Sequence, residues 1–101
     1  MADEPTISFA GYTFLESKGC FACIHVLRGD PVRLYVHELD GSLQFLCGAG
    51  GHGDDDYAWV HAEHILANNR DMVDMPAVNF GFEAERDGVG KPWVVRQTPD
   101  E

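Results

Sequence analysis

Val32-Arg33-Leu34-Tyr35-Val36-His37-Glu38-Leu39, then Asp40-Gly41, then Ser42-Leu43-Gln44-Phe45-Leu46-Cys47 is the stretch from which the fold is read. Two alternating runs rich in β formers flank Asp40-Gly41, the preferred pair of a two-residue type I′ turn. The spacing therefore predicts a β-hairpin. With that turn, Leu39 faces Ser42, Val36 faces Phe45 and Leu34 faces Cys47. One face of the sheet would carry Leu34, Val36, Leu43, Phe45 and Cys47. The wetter face would carry Arg33, Tyr35, His37, Gln44 and Leu46. A one-residue slip would bury Arg33 and His37, so the hydrophobic pattern argues for the first register.

Upstream, Thr6 to Phe14 alternates around Gly11 and reads as one or two short strands. Cys20 to Leu27 is apolar on both faces and reads as an inner strand. Arg28-Gly29-Asp30-Pro31 has the composition of a reversal. Downstream, 48–56 carries no periodic signal, and Tyr57 to His61 suits either an extended arm or the start of a helix. Ala62 to Asn69 has a helical period, and Asp71 to Met75 suits a further turn. Val78 to Ala84 alternates as a half-buried strand, and Trp93 to Arg96 forms a short terminal one. Strands arranged in hairpins around a helical interlude predict an α+β fold. The expectation is a single small domain over 1–101, with frayed ends at about 1–5 and 98–101. Its sheet should be mainly antiparallel and built from hairpins, with one or two short helices between strands.

The chain has 101 residues, 17 acidic against 7 basic, and a formal net charge of −10. One core is what this length supports. Such a charge repels phosphate backbones and anionic lipid surfaces, so neither nucleic acid nor membrane is an expected partner. It favours a basic protein, attracted by electrostatic steering. No apolar run approaches the ~18 residues of a spanning helix. The polar start Met1-Ala2-Asp3-Glu4-Pro5 is not that of a signal peptide, and three cysteines, an odd number, suit free thiols. The cytoplasm is therefore the expected compartment.

Several motifs fail on their context. Gly48-Ala49-Gly50-Gly51-His52-Gly53 spells G-x-G-x-x-G, but Asp54-Asp55-Asp56 puts negative charge where a pyrophosphate would sit. One copy of G-G-x-G-x-D lacks the neighbouring turns of a calcium β-helix. Cys20 and Cys23 have C-x-x-C spacing, yet on a strand they point to opposite faces. His61-Ala62-Glu63-His64 is not H-E-x-x-H, and Arg28-Gly29-Asp30 reads as a turn. If Arg28 to Pro31 closed a hairpin, His25 would lie opposite Leu34, on the same face as Cys23 and Cys47. That set, Cys23, His25 and Cys47, is the alternative metal site, with zinc as the alternative cofactor to none.

From Val32 to Arg96 the order of features is a strand pair with Asp40-Gly41, then Leu43-Gln44-Phe45-Leu46-Cys47-Gly48. The acidic Asp54-Asp55-Asp56, the short helix at His64-Ile65-Leu66 and a turn at Asp71 to Met75 come next. Gly81-Phe82-Glu83-Ala84-Glu85-Arg86 and an aromatic strand complete it. This order resembles a family of small bacterial proteins of unknown function and is similar to the immunity protein 33 family. The members of that family are assigned the neutralisation of toxins of bacterial polymorphic toxin systems. The resemblance implies a toxin-binding protein and carries over no catalytic residue.

The expected function is a non-enzymatic acidic protein-binding domain of bacterial, immunity-like type, whose basic partner would be a cognate toxin. Asp54, Asp55, Asp56 and Tyr57 in the loop, with Glu83 and Glu85 on a strand face, are the expected partner-binding residues. Tyr57 and Trp59 are the aromatic candidates for interface anchors, with Trp59 assigned to the core ahead of a contact role. The rivals are a small zinc protein using Cys/His ligands and an enzyme for which the sequence names no reaction.

Overall fold

The computed structural model describes residues 5–48 and 57–98. Strands β1 (Thr6–Phe9) and β2 (Tyr12–Leu15) form a separate antiparallel hairpin. A second sheet contains β3 (Gly19–Cys23), β4 (Leu34–His37), β5 (Leu43–Leu46), β6 (Tyr57–His61), β7 (Phe82–Glu85) and β8 (Val94–Gln97). Its six strands run in the order β6-β3-β5-β4-β7-β8. All neighbours are antiparallel except β3 and β5, which are parallel. One short turn α1 (Ile24–Leu27), the helix α2 (Ala62–Asn68) and a 3-10 helix (Arg70–Asp74) lie between strands. The expectation of an α+β fold with a mainly antiparallel sheet holds, β3 and β5 forming the parallel pair.

The central hairpin forms, but its register is one residue away from the expected one. Tyr35 pairs with Phe45 and His37 with Leu43, whereas Val36 pairs with Gln44. The cause is the turn. The Glu38 N–H donates to Ser42 O and the Gly41 N–H to Glu38 O, so Leu39, Asp40 and Gly41 together form the loop. Gly41 has φ +92°, the left-handed residue that follows a type I turn in a three-residue connection. Asp40 Oδ1 accepts from the Ser42 N–H at 2.9 Å and stabilises this form. Because strand side chains alternate, the shift turns all of β4 over. Tyr35 and His37 enter the core beside Leu43 and Phe45, while Leu34 and Val36 move to the other face. His37 is fully enclosed, its Nδ1 2.9 Å from Val78 O. Arg33 nevertheless stays exposed.

Cys20 to Leu27 is an inner strand only as far as Cys23. Cys23 pairs with Tyr57, the first residue of β6, and no described strand continues the ladder beyond it. The next backbone groups bond locally instead, Arg28 N–H to Ile24 O at 3.0 Å and Asp30 N–H to His25 O at 3.0 Å. The strand thus ends in one helical turn that buries Val26. The reversal after it sends the chain past β5, so β4 is not paired with β3 as a direct hairpin would require.

The sheet has two unlike faces. One row across it reads Ala58, Ala22, Phe45, Tyr35, Ala84 and Val95. Phe9 from the β1–β2 hairpin packs there, its ring centroid 5.4 Å from Tyr35 and 5.9 Å from Phe45. The hairpin reaches this position through a tight turn in which Ala10 and Gly11 both have positive φ, +55° and +82°. A Cβ on Gly11 would lie 2.7 Å from Ala77 Cβ, so the close approach also requires glycine. The core is closed by Ile65 and Leu66 of α2, Met72, Met75 and Val78.

Two buried polar side chains join the segments around this core. Asn69 Oδ1 accepts from the Val32 N–H while its Nδ2 donates to Ile65 O, tying the end of α2 to the entry of β4. Arg86 donates from Nε to Val32 O, pairs with Asp71 and stacks on Trp93 at 4.4 Å.

Candidate functional site

At the carboxyl ends of the parallel strands β3 and β5, three side chains converge. Cys23 closes β3, His25 projects from α1, and Cys47 follows β5 directly. Their ligand atoms all lie within 4.8 Å of one another, and among the described residues this is the group of His, Cys, Asp and Glu side chains able to hold a metal ion. His25 Nδ1 lies 3.5 Å from Cys47 Sγ. Burial pushes the Cys23 thiol up, while hydrogen bonds from the backbones of Val26 and Cys47 act in the opposite direction. His25 and Cys47 line an open cavity of about 360 Å³ together with Asp30, Pro31 and Arg33.

The sequence reading reached the same trio through a hairpin that does not form. What unites them is the parallel pairing of β3 with β5, which puts the ends of both strands side by side. Cys20, the other half of the C-x-x-C spacing, is buried in the core outside the trio. Burial holds its thiol pKa up at about 12.

The second candidate is the sheet face opposite the core. Its central row reads Trp59, Phe21, Gln44, Val36, Glu83 and Arg96. Trp59 is 61% exposed and Phe21 43%, their rings meeting edge to face at 4.9 Å. Trp59 is therefore a surface residue, not the core residue expected. Its indole lies over Gly19, where a Cβ would come within 2.0 Å of the ring. Tyr57 is exposed on the same strand, two residues away and hence on the same face.

The expected partner-binding residues separate. Glu85 is half-exposed, but Glu83 is buried beneath Arg96, which pairs with both carboxylates. Asp54, Asp55 and Asp56 lie outside the described residues. Phe21 escaped the sequence reading, which places Trp59 in the core rather than on this face. Their signal was the outward alternation of Tyr57, Trp59 and His61 against the smaller Ala58 and Val60, which fits an edge strand. His61 ends β6 and His64 stands on α2, with ring centroids 6.3 Å apart. No described helix is long and apolar enough to cross a membrane. Comparison with protein-family models, with curated proteins and with solved structures finds no match.

Proposed function

We propose that this chain is a non-enzymatic binding domain whose open sheet face receives a basic protein. The observation that carries the reading is the exposed cluster of Phe21, Trp59 and Tyr57 on a sheet face bordered by Glu85. Aromatic side chains are the usual anchors of protein interfaces, because they bury much area at little entropic cost. Charge selects the partner: the chain carries a formal −10, and the run Asp54-Asp55-Asp56 leads in sequence directly into Tyr57. A cationic surface is the complement of both features. The resemblance to the immunity protein 33 family implies a toxin as that partner.

The test uses the tagged chain and its Phe21→Ala/Trp59→Ala double variant against the products of the genes that flank its own. The expected result is direct binding of a basic protein and protection of cells by the parent chain. Both should be lost in the double variant while its thermal unfolding shows a folded protein. Equal binding and protection by the double variant would overturn the assignment of this face, and an acidic partner would overturn the charge argument.

A further inference from the structure

We propose that Cys23 Sγ, Cys47 Sγ and His25 Nδ1 bind one Zn²⁺ ion at the carboxyl ends of β3 and β5, with the adjoining cavity providing the fourth ligand position. Two thiolates and an imidazole form a donor set suited to zinc and poorly suited to calcium or magnesium. The spacing agrees with this. Tetrahedral zinc with ordinary Zn–S and Zn–N bonds separates two sulfurs by about 3.8 Å and a sulfur from a nitrogen by about 3.6 Å. The sulfur–nitrogen distance between Cys47 and His25 is 3.5 Å, and the whole trio lies within 4.8 Å. Closing around an ion requires only small side-chain adjustments.

The scaffold favours the same conclusion. Cys23 ends a strand paired on both sides, Cys47 directly follows the strand parallel to it, and His25 stands on the turn after Cys23, its carbonyl accepting from the Arg28 and Asp30 N–H groups. The approach is open on the side of His25 and Cys47, through the cavity that Asp30 and Arg33 also line. A water molecule in that cavity completes a four-coordinate site. Binding releases the two thiol protons to solvent and involves no oxidation or reduction. Cys20 serves as an internal control, being an equally buried thiol outside the trio.

Titration of the reduced, metal-free chain with Co²⁺, under exclusion of oxygen, tests the site. The expected result is one Co²⁺ per chain with thiolate charge-transfer absorption and the intense visible bands of a tetrahedral centre. Zn²⁺ should displace it and raise Tm. Cys23→Ser and Cys47→Ser should each weaken binding at least about tenfold, while Cys20→Ser leaves the spectrum unchanged. His25→Gln should alter the visible bands and keep the thiolate absorption, and this partly exposed position leaves the core intact. The parent chain carries the main readout, so a variant that fails to fold does not blunt the test. Absence of thiolate absorption in the parent would overturn the proposal. So would bands that survive Cys47→Ser, or that vanish in a Cys20→Ser variant whose circular dichroism matches that of the folded parent.

Discussion

Cys20 shows how strongly a single buried group couples protonation to folding. Its side chain is fully enclosed, and burial raises its pKa from 9.0 to about 12. Tyr35, likewise enclosed, is shifted upward for the same reason. Below about pH 9 the thiol is protonated in both folded and unfolded chains, and it adds no pH dependence. Above that, the unfolded chain releases the proton while the folded chain retains it, so stability falls as pH rises from 9.0 to about 12. Urea unfolding at pH 7.5 and again near pH 10.5 should show this loss, and Cys20→Ala should reduce it. An unchanged slope in Cys20→Ala would mean that Tyr35 or another group dominates. His37 presents a different balance. Its Nδ1–H donates to Val78 O, but Nε2 is buried without a partner among the described residues. The ring instead meets Tyr12 edge-on at 5.0 Å and lies 4.2 Å from Phe80. Aromatic contact offsets part of the cost of that unpaired nitrogen.

At the level of elements, the turn at Leu39-Asp40-Gly41 decides more than its length suggests. It selects which residues of β4 face the core, because one added loop residue reverses a period of two. Tyr35–Phe45 and His37–Leu43 are the opposed pairs in which the strands approach most closely, as the Glu38–Ser42 hydrogen bond sets the alternation. Strong NOEs between their α-protons are expected, and a Val36–Phe45 contact in their place would restore the two-residue turn. Gly41→Ala should cost about 1 kcal/mol, since φ is +92° there. Phe45→Ala should cost about 3–5 kcal/mol by emptying the core beneath the β1–β2 hairpin. Urea unfolding of the two variants gives both values.

For the whole molecule, the sheet has a covered and an open face, and in the proposed function the first serves stability and the second recognition. The covered face contains Tyr35, Phe45, Leu43 and Ala22, all fully buried, and substitutions there act on folding. The open face exposes Trp59, Phe21 and Val94, and substitutions there should act on binding. Net charge acts on neither packing nor register but on encounter. With a formal −10, association with a basic partner should slow as salt rises, because the Debye length is ~10 Å at 0.1 M. Stopped-flow measurements between low and high salt should find most of the change in the on-rate. Asp54→Asn, Asp55→Asn and Asp56→Asn together should reproduce part of that decrease with little effect on unfolding. A salt-independent on-rate would remove charge from the account of recognition.

The sequence by itself determined the composition of the elements and the class of the fold. Alternation marked β5, a run of β formers marked β8, the helical period marked α2, and Ala62 to Asn69 matched the helix within a residue. These signals are local, because a half-buried strand or helix must show its period in its own residues. The same local signals misjudged Tyr35 and His37, since β4 has plausible apolar residues on both faces and only the turn geometry chooses between them. They also ran the third strand on to Leu27, because whether a strand continues depends on a neighbour to pair with. The trio of Cys23, His25 and Cys47 was named from a pairing that does not exist. Tertiary structure brought it together through the parallel contact of β3 with β5, a contact between segments about twenty residues apart that leaves no periodic trace in either. Pairing order was decided by the burial of distant surfaces against one another, and so was the choice of an open face bearing Trp59. Neither is stored in any single stretch of the chain.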